Sequence, residues 1–475
     1  MSRGVRAARL ALAAAAALVG APVPIAAEPL APPSDPHFLG RQAWGQEHED
    51  QWAIRRVGLT DGPDSAWRLV DRSAAPVVVA LVDTGVDWHH LDLDAGNLWR
   101  NPGETPGNLV DDDRNGYVDD VIGWNFVENH EKPWDHDGHG TLVAGIVAAT
   151  WNNGAGIAGV SPFARIMVLK ALNGFGHTRA SSLARAIVYA ADNGARVINL
   201  SVGGEGPTEV ERSAIEYADG KGALVVVAAG NGGRDVSGWG PAGRGAVLTV
   251  ASTDLEDRRA RFSNWGRGVD LAAPGVDVLG LRARRTDTQR DLPGSTYQPG
   301  SATVGGDRRY YRANGTSFSA PIVTGVASLL IAKNPGLTSQ EVKRILLHSA
   351  RDVETPGVDQ YTGYGLLDAR AALAADPRYF VEAEISSVRV VATAIEVTGS
   401  AGADEFDSAR VEIGTGDAPN EWKVVIEGIG APVRHGALGA FPTSELQGAR
   451  VWMLRLVVRH RNGSTREARF RLNVG

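Results

Sequence analysis

From residue 76 onward, short apolar runs of strand length alternate with longer stretches whose apolar residues recur every three to four positions. Residues 77–82, 166–169, 197–200, 224–228 and 247–251 are rich in Val, Ile and Leu and show no polar face. Strands that are apolar on both sides must be covered on both sides, as in a parallel sheet packed between helices. Residues 181–193 supply one such helix, closed by Gly194 where a left-handed cap is expected. The apolar segments 142–149 and 322–332 predict two more. From about Tyr379 the pattern changes. Residues 388–397, 410–413, 422–426 and 451–458 alternate or run apolar between Gly, Pro and Asn turns, the spacing of a small β-sandwich. The expected fold class is α/β, a mostly parallel sheet with helices on both faces, followed by a C-terminal all-β sandwich-like domain.

The segments outside this pattern set the domain plan. Residues 1–27 begin with Arg3, Arg6 and Arg9, continue through an apolar run from Leu10 to Val19 and end on small residues at Ala26 and Ala27. That is the make-up of a signal peptide, so the mature protein is expected to be secreted or otherwise extracytoplasmic. Residues 28–75, Pro-rich at first and then scattered with Trp and charge, read as an N-terminal arm; residues 76–378 form the main domain and 379–475 an accessory one. A chain of 475 residues exceeds what one hydrophobic core usually organises. No later stretch has the roughly 18 to 20 apolar residues of a membrane helix, so no membrane span is expected. A net charge of −7 without any long basic block argues against nucleic acid as a partner. The absence of cysteine excludes disulfides, thiolate metal sites and a cysteine nucleophile.

In parallel sheets, functional residues gather at the carboxyl ends of the strands. Asp83, with Thr84 and Gly85, follows the strand 77–82 directly. His139 stands between Gly138 and Gly140 at the start of a predicted helix, a setting unlike that of a packed core histidine. Ser317, in Asn314-Gly315-Thr316-Ser317, opens another, where the helix dipole and free amides favour negative charge. Taken singly, each has an ordinary structural reading: a turn aspartate, a structural histidine, an N-cap serine.

Together the three motifs resemble those of the subtilase family, in that family's chain order of Asp, His and Ser. Asn199-Leu200-Ser201-Val202-Gly203-Gly204, Ala228-Ala229-Gly230-Asn231, Phe262-Ser263-Asn264 and Ala273-Pro274-Gly275 match as well, so the likeness spans most of residues 76–375. The resemblance implies a serine endopeptidase acting on peptide or protein substrates, with Ser317 as nucleophile, His139 as general base, Asp83 as the carboxylate that orients it and Asn231 as oxyanion donor. It further implies that Ser201, Val202, Gly203 and Gly204 pair with an extended substrate backbone. Trp239, eight positions after Asn231, stands where broad-specificity subtilases commonly carry a small residue at the floor of the pocket for P1, the residue that supplies the scissile carbonyl. An indole there would penalise large aromatic P1 residues and accept Ala, although the glycine-rich loop 232–238 also allows an outward-facing ring. The sequence departs from the family at Leu142, Phe318 and Ile322, none of them a triad position.

Residues 111–120 pack five carboxylates and one arginine into ten positions. Asp111, Asp113 and Asn115 with Gly116 reproduce the opening of a calcium loop, Tyr117 can offer its carbonyl, and Asp119 and Asp120 follow, but Ile122 stands where an EF-hand needs Glu. A structural calcium ion is therefore expected there, the alternative being a solvated acidic loop. A serine esterase would carry Gly-x-Ser-x-Gly, and Ser317 lacks the second glycine; an inactive binding module would show a broken triad. A monomer is expected.

Overall fold

A computed structural model describes residues 28–206, 208–243, 245–284, 303–305 and 308–474. The signal peptide expected at residues 1–27 lies outside the described residues. The main domain is built on a seven-stranded parallel sheet of β1 (Val77–Asp83), β2 (Gly123–Asn125), β3 (Ala164–Lys170), β4 (Val197–Leu200), β5 (Leu224–Ala228), β6 (Val247–Thr253) and β7 (Leu271–Pro274), in the order β2-β3-β1-β4-β5-β6-β7. Alternate side chains feed two separate cores. In β1, Val77, Val79 and Leu81 enter one, and Ala80 and Val82 the other. Helices α1 (His139–Ala148) and α4 (Thr316–Lys333) cover the first face, and α2 (Ala180–Asp192) and α3 (Glu209–Gly220) the second. Gly194 closes α2 at φ +77°, the left-handed backbone that glycine adopts without penalty. Among the described residues only α4 has the length and apolarity to cross a membrane, and 89% of it is buried inside the protein.

The segment 28–75 wraps the first face, donating Phe38, Trp52 and Trp67 to its core. Trp67 is wholly buried, and its Nε1 donates to the Val160 carbonyl at 2.8 Å. The domain also holds two further helices, α5 (Ser339–His348) and α6 (Ala369–Ala374), and a small antiparallel sheet of Val278–Leu281, Tyr310–Ala313 and Thr303–Val304.

The C-terminal region consists of two antiparallel sheets made from β8 (Val381–Val391), β9 (Ala394–Ala403), β10 (Phe406–Thr415), β11 (Lys423–Ile429), β12 (Val433–Pro442), β13 (Val451–His460) and β14 (Thr465–Asn473). One has the order β8-β9-β12, the other β11-β10-β13-β14, and their apolar faces share one core. The expectation of a single strand over 388–397 is corrected: a tight turn at Ala392 and Thr393 splits it into the hairpin β8–β9. Ala392 takes φ +53°, and without Gly, Asn or Pro there the turn leaves no mark in the hydrophobic pattern. The region is docked on the main domain. Arg466 of β14 donates to the carbonyls of Leu347 and His348 at the end of α5 and lies 4.3 Å over the Tyr364 ring, while Arg267 lies 3.9 Å over Phe470.

Candidate active site

Asp83 ends β1, buried, with its carboxylate at the carboxyl edge of the sheet. Its Oδ1 accepts from the Thr84 amide at 2.7 Å and faces His139 Nδ1 at 2.8 Å. His139 is the first residue of α1, reached through Gly138 at φ +110°. A methyl group on Gly140 would overlap the Gly85 carbonyl, so glycine is what lets this helix approach the Asp83 turn. The first amides of α1 are all satisfied from outside the helix or from its cap: His139 by Asp137 at 3.1 Å, Gly140 by Thr84 Oγ1 at 2.9 Å, Thr141 by Asp135 at 2.9 Å, and Leu142 by the Gly138 carbonyl.

Asp135, fully buried, was not singled out by the sequence reading. Its Oδ1 accepts from Thr84 Oγ1, the Asp137 amide and the Gly138 amide, and its Oδ2 from the amide and hydroxyl of Thr141. This one carboxylate ties the Asp83 turn to the start of the histidine helix. Lys170, also buried, sits beside Asp83 in the β1–β3 register and donates to the Thr84 carbonyl at 2.6 Å. Burial pushes its pKa down against the opposing charges of Asp135, Glu128, Asp137 and Asp83. For His139, burial opposes protonation, but the charge and hydrogen bond of Asp83, with the charges of Asp137 and Asp135, outweigh it and raise the pKa to about 9.

Ser317 is the second residue of α4 and is partly exposed. Its hydroxyl donates to the Ser201 carbonyl at 3.0 Å, while Ser201 Oγ donates to the Ser317 carbonyl at 2.8 Å. In this rotamer the hydroxyl is directed at Ser201 and not at His139. Asn231 Oδ1 accepts from both the amide and the hydroxyl of Thr316 at 2.9 Å, and the Thr316 hydroxyl receives the Gly230 amide at 3.0 Å. With its oxygen held this way, the Asn231 amide nitrogen is turned toward Gly315, beside the start of α4. Ser201 and Val202 are buried, Gly203 and Gly204 are exposed, and Gly204–Glu205 pairs antiparallel with Trp239–Gly240. Thus Asp83, His139, Ser201, Gly203, Asn231, Ser317 and Trp239 are brought to one edge of the sheet.

The acidic loop lies apart from this group. Carboxylate oxygens of Glu104, Asp111 and Asp113 come within 4.8 Å of one another. Glu104 precedes the aspartate run by seven residues, and nothing in the sequence marked it. Asp119 is turned to the amides of residues 107–109, and Asp120, fully buried, accepts from Asn101, Asn115 and the Tyr189 hydroxyl. Asn115 bonds to Asp113 at 3.1 Å, and the Tyr117 ring packs on Trp124, Phe126 and Tyr189. A second pair of acids was missed altogether. Asp35 of the arm is fully buried with no partner for Oδ1 among the described residues, and Asp92, also buried, has its pKa raised to about 6 by burial and by the Asp35 charge. Neither stands in an acidic run, so only the fold reveals them.

A parallel sheet carrying an imidazole–carboxylate pair and a helix-terminal serine at its carboxyl edge is the architecture of a serine hydrolase. Comparison with known proteins narrows this. The profile of the subtilase family matches residues 75–365. A thermophilic serine proteinase of Bacillus sp. strain AK1 is 34% identical over 345 residues, 73% of each chain. Thermitase of Thermoactinomyces vulgaris is 33% identical over 341 residues, 72% of this chain and 99% of thermitase. Among solved structures, a protease of Pseudoalteromonas arctica aligns with TM-score 0.55 at 29% identity, covering 72% of this chain and 98% of that one. The chain belongs to the subtilase family and is a subtilisin-like serine endopeptidase acting on peptide or protein substrates.

Proposed function

We propose that the protein is a secreted, monomeric endopeptidase that cleaves through an acyl-enzyme on Ser317, its catalytic domain spanning residues 76–378 between an N-terminal arm, 28–75, and an accessory β-domain, 379–475. The observation that carries this reading is the His139–Asp83 pair at the same sheet edge as Ser317, which stands at the N-terminus of α4 with its carbonyl bonded to Ser201 and the preceding Thr316 bonded to Asn231. Asp83 fixes the imidazole through Nδ1, leaving Nε2 to take the Ser317 proton. In the resting rotamer that proton is committed to the Ser201 carbonyl. A substrate amide pairing with Ser201 would displace the hydroxyl, which turns to His139 by rotation about one bond. The oxyanion would be met by the Asn231 side-chain amide and the Ser317 backbone N–H. His139 then returns its proton to the leaving amine, and water, deprotonated by the same imidazole, releases the acid product.

Calcium enters this reading as a structural ion. Glu104, Asp111 and Asp113 draw their hydrogen bonds from backbone amides and asparagine side chains, and no cationic side chain pairs with them among the described residues. A hard divalent ion suits such an oxygen set, with Asn115, Tyr117, Asp119 and Asp120 shaping the loop around it. The orphaned oxygen of Asp35 beside Asp92 fits a second. The extracytoplasmic setting is supported by the leader-like residues 1–27 and by likeness to a cell wall-associated protease of Bacillus subtilis, 32% identical over 433 residues.

The deciding experiment is labelling with a fluorophosphonate probe. Labelling abolished in Ser317→Ala supports the assignment; labelling unchanged in that variant overturns it.

A further inference from the structure

The loops that hold Ser317 indicate where the side chain of the residue that supplies the scissile carbonyl would lie. When the carbonyl carbon meets Ser317 Oγ, its oxygen lies toward the Asn231 amide, and the amide of the same residue lies toward the Ser201 carbonyl. Its side chain must then enter the gap between the segments Ser201–Gly204 and Ala228–Asn231, which follow β4 and β5. Both are lined by glycine where they face each other, at Gly203 and Gly230.

That gap is already filled. A methyl group on Gly203 would overlap Trp239 Nε1, and one on Gly230 would stand 2.6 Å from the same atom and 2.8 Å from Cε2. The edge of the indole is wedged between the two glycines. Its N–H is buried, with no hydrogen-bond partner among the described residues. Three features hold the ring there. Trp239–Gly240 pairs with Gly204–Glu205, the Arg234 guanidinium lies 5.1 Å over the indole, and Arg234 is itself ion-paired with Glu205. The outward orientation that the glycine-rich loop permitted is not the one adopted.

We propose that Trp239 truncates the P1 pocket, so that this endopeptidase cleaves after residues with small side chains, Gly, Ala and Ser, and discriminates against Phe, Tyr and Leu. The proposal rests on the assignment of Ser317 as nucleophile. Its basis is steric: a large side chain can enter only by displacing a ring braced on both sides, and protein interiors resist such overpacking. Glycine is tolerated at 203 and 230 for the same reason, since any larger residue would collide with the indole.

The test compares fluorogenic peptides identical except for Ala or Phe at P1. The wild-type protein should show kcat/KM for Ala at least about tenfold above that for Phe, the factor overpacking by a few methylene groups produces. In Trp239→Gly the Phe/Ala ratio should rise by about tenfold or more, while Trp239→Phe, which keeps a flat ring without the N–H, should retain the low ratio. Wild-type protein that cleaves after Phe as well as after Ala overturns the proposal, and so does a ratio unmoved in Trp239→Gly. Fluorophosphonate labelling of each protein separates the two readings: a labelled enzyme with the wrong ratio refutes the truncated pocket alone, whereas loss of Ser317-dependent labelling in the wild type refutes the underlying assignment.

Discussion

Asp135 is the residue whose replacement tests most directly how the site is assembled. Its two oxygens accept five hydrogen bonds in a fully buried setting, binding the Asp83 turn through Thr84 and the histidine helix through Gly138 and Thr141. Asp135→Asn keeps the three bonds to Oδ1 but places an NH2 group against the Thr141 amide and hydroxyl. Two charge-assisted bonds are lost, each worth about 1.5–3 kcal/mol, and a helix-terminal donor is left opposed by another donor. Allowing for partial relaxation, the cost is about 3–5 kcal/mol, or about 10 °C in melting temperature for a domain of this size. The Thr141 hydroxyl also receives the Asp87 amide, so it is not free to turn away. Catalysis should fall as well, since the same bonds set the pitch of His139 toward Ser317, and displacements near 1 Å cost about a hundredfold. Thermal unfolding measures the first effect, and the rate of fluorophosphonate labelling at 25 °C, where the variant remains folded, measures the second. A variant that melts within about 2 °C of wild type and labels at an unchanged rate would refute the argument.

Activity should climb through the alkaline range, because the base must be neutral and the Asp83, Asp137 and Asp135 charges raise the His139 pKa to about 9. The sign for stability is opposite: a pKa raised on folding contributes stability that is full below the unfolded value, about 6.5, and is lost as pH rises through about 9, so a pH–rate profile and a pH–melting profile should diverge across that window. Calcium should raise the melting temperature and EDTA reverse it, with Glu104→Gln reducing the shift; a flat response in the wild type removes the ion from the account. Peroxide should leave activity intact, since there is no cysteine and, of three methionines, Met167 and Met453 are buried, while Phe318 rather than a thioether adjoins His139 at 5.5 Å between ring centroids. Rapid inactivation by peroxide would contradict that reasoning.

The parallel sheet was legible because its strands are buried on both faces, and burial on both faces writes an unbroken apolar run. The candidate site residues stood out for a different reason: each sits where a strand or helix ends, close to glycines that the close approach of two loops demands. What stayed hidden shares no such mark. Asp135 does its work through five hydrogen bonds to residues near it in space, and in the sequence it is one more aspartate after Trp134. Asp35 and Asp92 lie in different segments and meet only when the arm wraps the core. Strands β12 and β14 were missed because glycines at 436 and 439 interrupt the first and Arg466, Glu467, Arg469 and Arg471 crowd the second. The orientation of Trp239 was undetermined for the same reason, its loop being free in sequence and fixed only by Glu205 and Arg234.

One detail of α4 explains how these loops act as a unit. Within an α-helix the carbonyl of residue 317 would bond to the amide of residue 321, but Pro321 has no N–H to offer. The vacancy is taken by Ser201 Oγ, at 2.8 Å. The first turn of α4 is thereby fastened to the loop after β4 and not to its own second turn. Thr316, one residue earlier, is fastened to the loop after β5 by three bonds, two to Asn231 and one from the Gly230 amide. Ser317, the proposed nucleophile, is consequently suspended between the loops after β4 and β5. Its position is tied to these loops as well as to the helix that carries it, so a substrate that spread them would move Ser317 too. On the proposed reading, a pocket narrowed by the indole would admit only side chains that leave these loops, and with them Ser317, in place.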